Sequence, residues 1–144
     1  MAFRGQFDFS LDAKNRLNVP AKFRPAFSDG VVLAKALEPC VAIWAPDAFE
    51  AWTESFLANL NPVSSERRKL TRYFAGNSWD LELDSAGRVT LNAPLLAHAG
   101  ISKDVVVIGN LDHIEVWDRA RWTADQETLD NEIVGIAESL GHPS

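Results

Sequence analysis

Apolar and polar residues alternate over two short segments with the period of a half-buried strand, Phe7, Phe9 and Leu11 in one and Trp79, Leu81 and Leu83 in the other. Each runs into a polar knot, DAKNR from Asp12 to Arg16 and DSAGR from Asp84 to Arg88. A second alternating strand follows each knot, through Leu17 and Val19 or through Val89 and Leu91. Pro20 and Pro94 end these strands and lead into short apolar segments, KFRPAF and PLLAHAG, closed by Gly30 and Gly100, residues that tolerate the positive φ of a helix exit. A buried strand comes next, VVLAKAL or VVVIG, and a hairpin into VAIW or IEVW.

Both halves finish in a helix. The first starts near Pro46, suited to a first helical turn, and carries Phe49, Trp52, Phe56 and Leu60. The last follows the N-cap candidate Asp118 and carries Trp122, Leu129, Ile133, Ile136 and Leu140 on one stripe. Between the halves, NPVSSERRKLTRYFAGN predicts a connecting helix started by Ser64 or Ser65 and stopped at Gly76.

The two patterns are one pattern repeated. An ungapped offset of 72 places Leu11, Asp12, Arg16, Leu17, Val19 and Ala21 on Leu83, Asp84, Arg88, Val89, Leu91 and Ala93. One inserted residue then sets Val32 on Val105, Val41 on Ile114, Ile43 on Val116 and Trp44 on Trp117. Such ordered self-similarity reads as a divergent tandem duplication. It divides the chain into an N-terminal half over 3–60, a connecting helix over 61–76 and a C-terminal half over 77–140. With no long linker, the halves are expected to pack as one unit with pseudo-twofold symmetry, in an α+β fold.

Composition narrows the class. The chain has 144 residues, 47% of them apolar, enough for a packed core. A single cysteine, Cys40, excludes an intrachain disulfide and a Cys-based zinc site. Asp8 and Asp12 interrupt the N-terminus where a signal peptide needs an apolar core, and no apolar run is long enough to span a membrane, so a cytoplasmic location is the expectation. The net charge of −6 opposes nucleic-acid binding overall, but it is unevenly placed. Residues 112–138 hold eight acids against Arg119 and Arg121, whereas residues 4–24 hold five basic residues against Asp8 and Asp12.

The polar knots are the chemically informative stretches. An Asp opening such a corner accepts hydrogen bonds from backbone amides two residues on, the role expected of Asp12 and Asp84. The position before each arginine is Asn15 or Gly87, the residue types that most readily adopt a left-handed backbone. Arg16 and Arg88 are not needed for the bend. A guanidinium fork suits phosphate oxygens or the major-groove edge of guanine, and a rigid corner would present it with little entropy left to lose. The plainer alternative is that each arginine pairs with its own Asp and staples the turn. Duplication of the arginine, and a basic surround of Lys14, Lys22 and Arg24, favour nucleic acid.

FRGQFDFSLDAKNRLNVPAKFR, LDSAGRVTLNAPLL and GNLDHIEVWDRARW together resemble the two halves of the MraZ proteins, over residues 3 to 137. The resemblance implies two AbrB-like β-barrel halves built on swapped hairpins, and a regulator that binds short direct repeats in the promoter of the division and cell-wall gene cluster. It also implies assembly of subunits into a ring, double-stranded DNA as partner, a nucleoid-associated location and no cofactor. On this basis Lys14, Arg16 and Arg88 are expected DNA contacts and Arg24 a phosphate contact. Asn15 replaces a usual Gly, Ala86 a long polar side chain and Asn92 a usual proline, which makes the second corner the poorer base reader. The expected mechanism seats the corner in the major groove, with flanking basic residues on phosphates. The acidic C-terminal helix is expected to lie away from the DNA.

Other signals carry less. Asp80, Glu82 and Asp84 in WDLELD read as a solvated strand face rather than a metal or carboxylate site. His98, His113 and His142 lack a spacing for shared ligation, and Cys40 reads as a buried inert thiol. The tryptophans at 44, 52, 117 and 122 fit a core or a subunit interface better than base stacking. An antitoxin-like module remains the alternative class, with a partner toxin; the duplication argues against it. No constellation for an enzyme is present.

Overall fold

The strands that alternate in sequence do not pair within their own repeat. A computed structural model of the chain describes residues 2–141. It has eight strands: β1 Gln6–Ser10, β2 Arg16–Asn18, β3 Val31–Lys35, β4 Val41–Trp44, β5 Ser78–Leu81, β6 Arg88–Thr90, β7 Asp104–Gly109 and β8 Ile114–Asp118. The helices are α1 Pro46–Leu57, α2 Ser65–Gly76, α3 Ala93–Ala99 and α4 Arg119–Gly141, with a 3-10 helix over Ala21–Phe27.

Six strands form one antiparallel sheet in the order β1-β7-β8-β4-β3-β5, and β2 pairs with β6 in a separate ribbon. Strand β1 of the first repeat therefore pairs with β7 of the second, and β5 of the second with β3 of the first. The repeats are exchanged rather than adjacent. The sheet is open, with β1 and β5 at its edges, so the barrels implied by the resemblance are not seen as two closed units.

The pseudo-twofold is legible in the register. Leu17 faces Val89 in the ribbon, and Ala42 faces Glu115 between Val41↔Val116 and Ile43↔Ile114 in the sheet. These pairs join equivalent positions of the two repeats, so the axis passes through both.

Period-two alternation then sorts side chains onto the two faces of the sheet. On one face Val31, Leu33, Val41, Ile43, Val105 and Val116 meet Leu17 and Val89 of the ribbon, Phe23 and Phe27 of the 3-10 helix, and Leu95 of α3. Fully burying each such side chain contributes about 1.5–3 kcal/mol. On the other face Val32, Ala42 and Trp44 pack under Phe49 and Trp52 of α1. Trp117 meets Trp122 of α4 at 5.6 Å on this face.

Helix boundaries follow their caps. Pro46 sits in the first turn of α1, Ser64 accepts the Arg67 amide at 3.1 Å to start α2, and Asn92 accepts the Leu95 amide at 3.0 Å to start α3. Asn92, read above as a departure at the second corner, thus serves as a helix cap. Helix α1 ends at Leu57, so Leu60 lies beyond it. The predicted C-terminal helix forms, but Leu129, Ile133, Ile136 and Leu140 on its stripe are exposed rather than packed on the sheet.

Candidate nucleic-acid interface

Each polar knot closes as the same bend. In the first, Asp12 Oδ1 accepts the amides of Lys14 and Arg16, both at 2.9 Å, and the Asn15 amide donates to the Asp12 carbonyl at 2.9 Å. In the second, Asp84 Oδ1 accepts the amides of Ala86 and Arg88 at 2.9 Å, and the Gly87 amide donates to the Asp84 carbonyl at 2.9 Å. Asn15 and Gly87 hold φ of 57° and 78°, the left-handed region.

The exchange binds the bends to each other. The Asn15 carbonyl accepts the Leu91 amide at 2.9 Å, and the Gly87 carbonyl accepts the Val19 amide at 3.0 Å. Each left-handed residue thus anchors the strand leaving the other repeat's bend. One rigid body results, with the ribbon at its centre.

Leu17 and Val89 turn inward from this ribbon and are buried. Arg16, Asn18, Arg88 and Thr90 alternate with them and occupy the outward face. Arg16 stands opposite Thr90 and Arg88 opposite Asn18, so the arginines are diagonal neighbours on one face. Sequence reading placed one arginine on each of two corners; the fold gathers both on a ribbon with one strand from each repeat. The signal for this was the offset of 72 itself, which pairs Leu17 with Val89 once the strands are set antiparallel.

Both arginines are engaged by their own aspartates. Arg16 Nε donates to Asp12 Oδ2 at 2.6 Å, and Arg88 Nε donates to Asp84 Oδ2 at 2.8 Å. The stapling contact is therefore present in each corner. It uses Nε alone, and among the described residues the terminal nitrogens of Arg16 and Arg88 make no hydrogen bond. Those two nitrogens are the pair a guanine O6/N7 edge takes. The carboxyls of Asp12 and Asp84 are held below the usual carboxylate range, chiefly by the backbone amides of Arg16 and Arg88, with the guanidinium adding to the effect.

Lys14 is exposed in the first bend, beside the equally exposed Asn15. Arg24 comes from the 3-10 helix, donates from Nε to the Val19 carbonyl at 2.9 Å and lies against Gly87 of the second corner. Of the flanking basic residues, Arg24 therefore belongs with Arg88 rather than Arg16. Lys22 is occupied over the Phe7 and Phe23 rings, at 4.8 and 5.2 Å.

The weaker signals find structural places. Cys40 is buried, and burial pushes its thiol well above the ordinary range. Asp80 lies in β5 and Glu82 just beyond it, both exposed, and no metal-binding cluster occurs among the described residues. His98 Nε2 meets the carbonyls of Ala36 and Glu38, whereas His113 stacks on Trp44 at 4.2 Å; His142 lies outside the described residues. No helix among the described residues is long and apolar enough to cross a membrane.

Two exchanged repeats, each turning on an Asp-to-Arg corner and sharing a central ribbon, define a tandem protein of the AbrB-like swapped-hairpin class. The family model described as "MraZ protein, putative antitoxin-like" matches residues 2–72 and 74–136, and the chain belongs to the MraZ family. It is 34% identical over 139 residues to the transcriptional regulator MraZ of Lachnoclostridium phytofermentans, covering 96% of this chain and 97% of the relative. It is 36% identical over 137 residues to the protein of the same name from Symbiobacterium thermophilum, covering 95% and 99%. A third relative of that name, from Natranaerobius thermophilus, is 33% identical over 138 residues and 96% of each chain.

Proposed function

We propose that this chain, a transcriptional regulator by family, reads duplex DNA through the outward face of the β2–β6 ribbon. The carrying observation is the pair Arg16 and Arg88 on that face, each fixed at Nε and open at its terminal nitrogens. A two-stranded ribbon fits the major groove, and a guanidinium held by a second contact loses little freedom on meeting a base edge. Lys14 and Arg24 flank the ribbon as phosphate or base-edge contacts that set its position.

One ribbon reads few base pairs. Specific occupancy then requires several copies of the chain on several repeats, each engagement raising the effective concentration for the next. Family membership supports promoter repeats of the division and cell-wall gene cluster as the target. Repeats spaced about 10 base pairs apart keep successive ribbons on one face of the duplex.

Mobility shift with the protein's own upstream region tests this, using Arg16→Ala and Arg88→Ala beside the unaltered chain. A base contact costs about 1–3 kcal/mol on removal and relaxes preference at one position. An equal loss on every sequence assigns the arginines to phosphate. Unchanged binding in both variants leaves them as staples and ends the proposal.

A further inference from the structure

Helix α4 carries an apolar stripe that its own chain does not cover. Leu129, Ile133, Ile136 and Leu140 are 36%, 47%, 40% and 82% exposed. The helix packs only on β7 and β8, near its start, through Trp122 on Trp117 and through Arg119, which donates to the Phe9 carbonyl at 2.7 Å. The stripe repeats at intervals of four, three and four residues, the spacing of a two-helix seam.

Its flanks choose the partner. In that heptad Asp125, Asp130 and Glu132 fall on the edges of the seam, and after Arg121 the helix has no basic residue. Pairing α4 with another α4 would set acid against acid across the seam, which is destabilising. The fitting partner is a basic helix with apolar neighbours. Helix α2 supplies it: Arg67, Arg68, Lys69 and Arg72 stand there against Glu66 alone, and Arg68, Lys69 and Arg72 are exposed. Among the described residues none of these four forms an ion pair. Beside α2 lie the exposed side chains of Phe56, at the end of α1, and Val63.

Helix α2 is also poorly placed for DNA. Phe74 of α2 packs against Trp52, whose partner Trp44 lies on the sheet face opposite the ribbon. A six-stranded sheet thus separates the basic helix from Arg16 and Arg88.

We propose that α4 of one copy docks along α2 and the end of α1 of a second copy, its acidic edges on Arg68, Lys69 and Arg72. The two surfaces differ, so the contact is head-to-tail: every copy offers one of each, and repetition closes a ring or extends a filament. This deepens the oligomer reading above and rests on it. The ribbon is left free on every copy.

Sedimentation velocity on the full chain tests the docking, with Arg68→Glu/Arg72→Glu as one variant and Asp130→Lys/Glu132→Lys as another. All four positions are exposed, and far-UV circular dichroism checks that each variant stays folded. The unaltered chain is expected to sediment as an assembly, either variant alone as a smaller species, and their equimolar mixture as the assembly again, because each then supplies the charge the other lacks. An unaltered chain that is monomeric at every concentration overturns the oligomer reading and the docking together. Variants that keep the full size, or a mixture that fails to reassemble, overturn the docking alone. A variant in α2 that keeps its size but loses affinity for a duplex with one repeat assigns that helix to phosphate and likewise overturns it.

Discussion

The guanidinium of Arg24 lies against Gly87 in the space that a side chain at position 87 would need. The first corner differs: its equivalent residue, Asn15, is exposed and carries a side chain at φ 57°. Two constraints therefore meet at Gly87, a left-handed backbone and a cation stacked on it, whereas Asn15 answers only the first.

Exchanging the two residues should have unequal effects. Asn15→Gly keeps a residue that adopts positive φ in open space and should change stability by less than about 0.5 kcal/mol. Gly87→Asn displaces Arg24 from the Val19 carbonyl and should cost about 1–3 kcal/mol, the range for losing a charge-assisted hydrogen bond. Urea unfolding of both variants measures the difference; equal values would mean that Arg24 moves aside freely.

The ribbon should behave as one unit. Leu17 and Val89 face each other and are 0% and 3% exposed. Leu17→Ala should cost about 2–5 kcal/mol, and because Val89 loses its facing partner at once, the double variant should fall short of the summed single costs by about 0.5–3 kcal/mol. A double-mutant cycle from denaturant unfolding reads this coupling. Strict additivity would show that the two bends are supported separately.

How far the sequence foretold this molecule depends on range. Asp12 with Asn15 and Asp84 with Gly87 act within four residues, so their bends were legible, as were the starts of α1 at Pro46 and α2 at Ser64. Strand exchange was not. Alternation at Phe7 and Phe9 says that one face is buried but names no partner, and β1 found β7 almost a hundred residues away. Arg24 was picked out as a basic residue near the first corner and proved to sit on the second, for the same reason. The stripe on α4 was read as apolar spacing, which a core and an uncovered interface share; only the fold shows that no sheet lies beneath it.

Acid should loosen both corners. The carboxyls of Asp12 and Asp84 sit below their ordinary value of 3.8 in the folded chain. A depressed folded value contributes stability that is fully present above the unfolded pKa and lost as pH falls through the folded one. Melting temperature should therefore decline below pH 3.8, and Asp12→Asn/Asp84→Asn should flatten that limb. Both aspartates are well exposed, so the change should be modest. A double variant that retains the full acid limb would place the responsible carboxyls elsewhere.

Base should act through His113. Its Nδ1 lies 2.6 Å from Asp112 Oδ1 and its Nε2 3.2 Å from Glu115 Oε2, while the ring stacks on Trp44. Burial opposes the imidazolium, but the hydrogen bonds to Glu115 and Asp112 outweigh it and raise the histidine above its ordinary 6.5. A raised folded value gives stability that is complete below the unfolded pKa and lost as pH rises through the folded one. Thermal melts should thus fall on going above pH 6.5, and His113→Gln should remove that decline. Persistence of the decline in the variant would rule out this imidazolium as its source.

The staple in the first corner predicts a separation of affinity from discrimination. Asp12→Asn keeps an oxygen to accept the Lys14 and Arg16 amides, so the bend should persist, but it removes the negative charge from Arg16 Nε. One acid fewer beside the phosphates should strengthen binding to arbitrary duplex and steepen the dependence of log K on log salt by up to about 0.9. A guanidinium no longer held by its carboxylate loses orientation, so preference for the promoter repeat over arbitrary duplex should narrow by about 1–3 kcal/mol. Fluorescence anisotropy titrations on both duplexes at several salt concentrations give the two quantities separately. Should affinity and preference move together, Asp12 does not aim Arg16, and the ribbon reads DNA by another group.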